Sequence, residues 1–410
     1  MTPKRRRQPA KPTRRQLIGA GVGFWSGSLL RPQGQRANQD EVIATATQDS
    51  TPRVGVVLSS FAGGTEHDGS KLPGLRSPRP ANARLDADFI DEWVRKAIEL
   101  GAQRGGDLST IIAPDDWVVI KTDISTCYGL ELTPADKGRY QPYIAGSVAD
   151  LRVVKAVVGY LLEKGCGGRI TIAEGSANWR RIEDSKAPVD GWSTDWGGAF
   201  DGLSYRGIVA EFSKKYPNVP VEIADLNFDG AVELPVRRRG NAASGAPRTY
   251  TIPKVIQRCD KLISLAPLKT DDRTGVSLTF GNYLGIAPGA KYGFPKSELM
   301  KLGAKGEIVL DLFSYHPADY CIVGGSFGVE GGGAEVATVH HNLLVSGTHA
   351  ASVDAVAAAL MGFAPEDVPH LAEAERAGYG MSAFDGIWTR GNEFDEAQRP
   401  FRKPRIEKAG

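Results

Sequence analysis

Cysteine and histidine are scarce in this 410-residue chain, at four and six. The cysteines, Cys127, Cys166, Cys259 and Cys321, form no C-x-x-C and no close pair. That spacing excludes a zinc ribbon, an iron–sulfur ferredoxin module and a small disulfide scaffold. It leaves small buried apolar residues, or one or two disulfides if the protein is exported. No apolar run approaches the roughly 20 residues of a membrane span. There is no G-x-S-x-G elbow, H-E-x-x-H or Cys–His signature, so serine hydrolase, zincin and papain-like readings have nothing to rest on.

A basic footprint is missing as well. The formal charge is +2, but the first 46 residues hold nine Lys/Arg and only two acids. The remainder carries 41 basic and 46 acidic residues, a net −5. A mildly acidic body argues against a nucleic-acid partner. At 41% hydrophobic and 24% charged the composition is that of a soluble globular protein, long enough for two or three domains or one two-lobed domain.

The first 46 residues read as a leader. Arg14-Arg15 precede an uncharged, Gly-rich stretch from Leu17 to Leu30, and Ala44-Thr45-Ala46 is a small-residue cleavage site. The pattern resembles a bacterial twin-arginine export signal. The resemblance implies a folded cargo, the twin-arginine translocation machinery as partner, a periplasmic or extracellular location and no membrane span after processing.

Strand-like and helical patterns alternate behind the leader. Strands are expected at 53–58, 117–120, 169–173, 220–226 and 261–266, and in the segment ATVHHNLLVSG (337–347). Helices are expected at 86–102, 148–164, 204–214, 351–361 and 365–377. This alternation predicts an α/β fold: a largely parallel sheet flanked by helices, with an inserted β-hairpin over 231–253 and a C-terminal α/β portion. The domain is expected over 53–380, with a possible lobe boundary near 290–305 and a tail from 381. The run Arg237–Arg239 reads as solvated hairpin surface. Long polar loops at 60–84, 124–147, 174–202 and 268–292 each follow a strand. In parallel α/β sheets that edge binds ligands, so one shared cleft is expected there.

Three strand-end motifs stand out: Ile120-Lys121-Thr122-Asp123, Ala173-Glu174-Gly175-Ser176, and the run from Ala266 through Lys269-Thr270-Asp271 to Val276, followed by Gly281-Asn282-Tyr283-Leu284-Gly285. Farther on lie Asp311, His316-Pro317-Ala318-Asp319, Val329-Glu330-Gly331-Gly332-Gly333 and Ser352-Val353-Asp354. In this order they resemble the bacterial and archaeal family called domain of unknown function 362, over roughly residues 53–380. Asp271 stands where that family usually has His, and Gly281 where it usually has Lys. Many relatives carry an appended four-iron ferredoxin module; this chain has no matching cysteines, so no iron–sulfur cluster is expected and a redox reading lacks its carrier.

The residues themselves allow several chemistries. Lys121 and Lys269 end apolar strands, where a charge needs a partner. They could bind a carboxylate or phosphate, act as acid/base groups, or form structural ion pairs. Asp123, Glu174 and Asp271 would put three carboxylates at one sheet edge. They could hold a divalent metal, form an acid/base pair with separated pKa values, or pair with Lys121, Lys269 and Arg273. Ser176, Arg273, Thr274 and Asn282 suit anion or substrate binding. Glu330 lies in a glycine-rich loop that could approach a phosphate or be a simple turn, and its pattern fits no nucleotide motif. His340 and His341 are neighbours on a strand and point to opposite faces, so they cannot chelate one ion together. His341 with a nearby carboxylate is a further metal candidate. His67 sits in the first long loop. Trp192, with Trp179 and Trp196, could stack on a ligand ring or anchor a long loop.

The expectation is an exported enzyme acting on a small anionic or polyhydroxy metabolite. Lys121, Asp123, Glu174, Lys269 and Asp271 would do the chemistry, and Ser176, Arg273, Thr274, Asn282, Glu330 and Trp192 would hold the substrate. The alternative is a non-catalytic ligand-binding protein of the periplasm or cell surface.

Overall fold

The computed structural model describes residues 51–405, apart from 67, 104–105, 125–143, 177–190, 238–247 and 333–334. The leader, His67, Cys127, Trp179, Arg238, Arg239 and Gly333 therefore lie outside the described residues. Eight strands make the body of one sheet: β1 (Arg53–Leu58), β2 (Trp117–Lys121), β3 (Arg169–Glu174), β4 (Val221–Asp225), β5 (Lys261–Ala266), β6 (Tyr320–Glu330), β7 (Ala337–Gly347) and β8 (Trp388–Gly391). Their spatial order is β8-β1-β7-β6-β5-β2-β3-β4. From β6 to β4 all neighbours are parallel. β7 runs against both β6 and β1, and β8 joins β1 in parallel. A short antiparallel pair, Lys269–Asp271 with Gly275–Ser277, extends the sheet by setting Lys269 opposite Val329.

This order contains a reversal. The chain steps from β2 outward to β3 and β4, then returns to the other side of β2 for β5 and steps outward to β6. Such a switch leaves a crevice outside the carboxyl ends of the two strands that flank it. Here those strands are β2 and β5, so Lys121 and the segment after Ala266 border the crevice.

Apolar alternation explains why the sheet is covered on both faces. Val118, Ile120, Ile170, Ile172, Ile263 and Leu265 belong to one buried cluster, whereas Val119, Ala173 and Leu262 belong to the other. The first cluster takes up α1 (Ala87–Gly101), α2 (Leu151–Lys164) and α3 (Tyr205–Lys215). In α1 the side chains of Phe89, Ile90, Trp93, Val94, Ala97 and Ile98 recur at helical spacing and are buried. Asp86, Asp150 and Ser204 cap the three helices by accepting amides of the first turn. The second cluster packs under α4 (Thr279–Asn282), α5 (Lys305–Phe313) and α6 (Ala350–Leu360). The hairpin expected over 231–253 is present as Ala231–Pro235 paired with Thr249–Pro253. Residues 49–410 form one compact unit, and no helix among the described residues is long and apolar enough to cross a membrane.

Three segments differ from the sequence reading. The helix expected over 365–377 is broken into a 3-10 turn, Pro365–Asp367, and a short helix, Leu371–Arg376. Pro369 explains the break, since it has no N–H to continue the ladder and disfavours helix at the residue before it. The stretch after 380, read as a tail, supplies strand β8 and buries Phe401. β6 carries no strand signal because Gly324, Gly325 and Gly328 interrupt it. A Cβ on Gly324 would sit 2.0 Å from the Leu343 carbonyl oxygen, so close backbone approach at a bulge requires glycine there.

A similar approach joins α1 to the sheet. A Cβ on Gly55 would lie 2.7 Å from the Gly101 nitrogen and 3.0 Å from the Ala97 oxygen. Gly55→Val should therefore destabilise the fold by about 1–3 kcal/mol, read as a lower urea midpoint at unchanged slope.

Candidate functional site

A cavity of about 300 Å³ opens at the β2/β5 switch and is lined by Asp123, Glu174, Lys269, Thr270, Asp271, Ser277, Gly281, Asn282, Leu284, Gly285, Lys296 and Lys305. Two of the lining residues, Glu174 and Asn282, are joined to Lys121, the last residue of β2. The Lys121 side chain is fully buried, and its ammonium donates to the Thr122 carbonyl (2.7 Å), to Asn282 Oδ1 (2.7 Å) and to the Glu174 carboxylate. All three N–H groups are thus used. Asn282 in turn donates to the Lys121 carbonyl at 2.9 Å and to Ser264 Oγ at 3.0 Å, which ties α4 to the ends of β2 and β5. Burial pushes the Glu174 carboxyl above its ordinary range, with Asp123 adding to the rise and Lys121 and Lys296 opposing it. Gly285 closes over this pair: a Cβ there would sit 2.2 Å from Glu174 Oε1 and 2.5 Å from Lys121 Nζ.

The rim holds two more pairs. Lys269 Nζ meets Asp123 Oδ2 at 2.6 Å, and Lys305 donates to Asp271 Oδ2. Asp271 Oδ1 also accepts from the Arg273 amide (3.0 Å), the Thr274 amide (3.0 Å) and the Thr274 hydroxyl (2.8 Å). Burial alone would raise the Asp271 carboxyl, but Lys305 and these hydrogen bonds outweigh it and hold it below the usual range. An adjoining groove of about 460 Å³ shares Leu284, Lys296 and Lys305 with the cavity, and adds Arg273, Pro295, Leu299 and Met300.

Lys296 is the fourth lysine and is held differently. Its Nζ donates to two backbone carbonyls, Gly175 and Leu284, the latter at 2.9 Å. Among the described residues no carboxylate stands within ion-pair distance of it. Burial lowers its pKa to about 7, with Lys121 acting in the same direction and Glu174 and Asp225 against it.

The structure thus brings together Lys121, Asp123, Glu174, Lys269, Asp271 and Asn282, with Thr274 as a support of Asp271. Arg273 reaches the adjoining groove. Ser176 is buried behind the site, where its carbonyl accepts from Asn227. Glu330 accepts the Arg402 amide at 3.0 Å. Trp192 is buried against Tyr205, edge to face at 5.4 Å, and so anchors a loop instead of offering a stacking face. His341 packs near Phe401 and is pushed down to about 4 by burial and Arg399. It does not join the carboxylates, and among the described residues no group of three His, Cys, Asp or Glu is placed to hold a metal ion. Cys166, Cys259 and Cys321 are buried and free.

Sequence reasoning missed Lys296 and Lys305. Both lie in GFPKSELMKLGAKG, a Gly-rich polar stretch that reads as a boundary, and no local pattern marks them. It also missed the task of Asp354. That buried carboxylate on α6 accepts the amides of Thr279 (2.9 Å) and Phe280 (3.1 Å), and so fixes the helix that presents Asn282.

The family model described as "Domain of unknown function (DUF362)" matches residues 138–359, which include Glu174, Lys269, Asp271, Asn282, Lys296 and Asp354. The chain belongs to the DUF362 family. The match begins after Lys121 and Asp123, yet the DUF362 segment closes directly on both residues. No curated protein matches the chain.

Burial raises the Asp354 carboxyl to about 7, against the pull of the two amides and the Thr279 hydroxyl. The folded state then keeps a proton that the unfolded chain releases near pH 4. The corresponding stability is complete below pH 4 and is lost as pH rises through 7. Asp354→Asn should remove this component, so the difference in unfolding free energy between wild type and variant should change across pH 4–7 in denaturant titrations.

Proposed function

We propose that the protein is an exported enzyme acting on a small anionic metabolite in the cavity at the β2/β5 switch. The observation that carries this reading is the charge count: four lysines, Lys121, Lys269, Lys296 and Lys305, face three carboxylates, Asp123, Glu174 and Asp271. Three of the lysines are matched by the three carboxylates, and Lys296 is left without one among the described residues, so lysines outnumber acids where a carboxylate or phosphate group of a substrate would enter. Lys269 and Lys305, at the rim, are the lysines an entering anion meets, and Glu174, whose carboxyl burial pushes above its ordinary range, is the group that carries protons. A divalent ion would have to displace lysines from all three carboxylates to gain them as ligands, so the lysine-centred reading is the one the site supports best.

The test is a thermal-shift series with inorganic phosphate, small carboxylic acids and sugar acids, followed by product analysis of any acid that binds. At least one anion should raise the Tm of the wild type by a few degrees near saturation. Lys269→Ala should abolish that rise while retaining a cooperative transition. If no anion stabilises the wild type, or if Lys269→Ala binds as well as wild type, the site assignment is wrong. Binding without turnover would instead identify a ligand receptor.

Export is part of the proposal, and it rests on the leader alone. Arg14→Lys combined with Arg15→Lys should leave the chain in the cytoplasmic fraction of a bacterium that exports the wild type. Equal export of both would remove the twin-arginine reading.

A further inference from the structure

Lys296 is held in a way that none of the other three site lysines shares. Lys121 has an acceptor for each of its three N–H groups, one of them a carboxylate, which is the environment of an ammonium ion. Lys269 and Lys305 each face a carboxylate. Lys296 is offered two carbonyl oxygens and, among the described residues, no third acceptor. Two acceptors are what a neutral amine requires, since –NH2 has two N–H donors and one lone pair. With both donors engaged, the lone pair is left for the cavity and the groove that Lys296 lines.

We infer that Lys296 is a nucleophile that forms an imine with a small carbonyl compound bearing an acidic group, such as a 2-oxo acid. The inference deepens the proposed function and rests on it, because Lys269, Lys305 and Arg273 are the groups that bind the acid and leave the carbonyl carbon at Lys296. The lone pair of Lys296 Nζ attacks the carbonyl carbon, and the C=O π pair moves onto oxygen. Both hydrogens of the amine leave with that oxygen as water, and nitrogen becomes doubly bonded to carbon. Glu174, which lines the same cavity, is the group that relays these protons. No oxidant, reductant or further reactant is needed. The lowered pKa of about 7 agrees with this assignment, since half the amine is free at neutral pH, whereas an ordinary lysine is almost wholly protonated.

The experiment treats the wild-type full-length chain with glyoxylate, the smallest aldehyde that carries a carboxylate, and traps imines with cyanoborohydride. The modified lysines are identified by peptide mass spectrometry as a function of time and pH. At pH 7 Lys296 should be modified at least about tenfold faster than the exposed Lys214, with a rate that levels off above pH 7. Inorganic phosphate at saturating concentration should slow labelling of Lys296 and leave Lys214 unaffected. If small acids stabilise the protein but Lys296 reacts no faster than Lys214, the imine is overturned and the anion-binding enzyme stands. If no acid stabilises the protein and Lys296 is also unreactive, both fall together. Because every lysine is read within one wild-type sample, the result does not depend on whether Lys296→Met folds.

Discussion

The buried pair of Lys121 and Glu174, with Asn282 bridging to the lysine, is the constraint around which the site is arranged. Two opposite charges removed from water are stable together only when each hydrogen-bonding valence is filled. Filling them recruits the ends of β2 and β3 and the helix that carries Asn282, while the backbone of Gly285 packs directly against the pair. The requirement explains residues that have no chemistry of their own. Gly285 is small because any Cβ would enter the pair. Asp354 is acidic because the first turn of the Asn282 helix has amides to satisfy in a place without water.

Around that fixed centre the remaining groups differ in how tightly they are held. The inner lysine and its glutamate are sealed, at 0% and 4% side-chain exposure, whereas Lys269 and Lys305 keep 12% and 15%. The inner pair positions; the outer lysines are the ones that can exchange a protein carboxylate for one brought by a ligand. Lys296 belongs to the inner shell by burial and to the outer one by its access to both cavities. That combination is what the proposed imine draws on.

Much of the fold was legible in the sequence because burial on two faces leaves a periodic apolar record. Six strands and the three helices of the first half lie where the spacing of Val, Ile and Leu puts them, and the sheet-edge lysines and carboxylates follow from those strand ends. What was illegible has physical reasons. β6 is a strand whose glycines serve close packing, and β8 is four half-buried residues, so neither shows alternation. Lys296 and Lys305 are brought to the site by tertiary packing alone. Trp192 shows packing choosing between two readings the loop left open: its burial against Tyr205 supports the loop anchor over the ligand-stacking ring.

The place of β1 has a consequence for how the chain is made. Its two sheet neighbours are β7 and β8, and its last amide, on Leu58, is received by Asn392, 334 residues away. β1 therefore has no lateral partner until β7, far along the chain, has left the ribosome. Loop closure of that length is slow, and an unpaired strand edge is exposed to association in the meantime. Locking of β1 waits for both late strands, so a quality-control system that monitored only this strand would be reading the integrity of the sheet as far as β8.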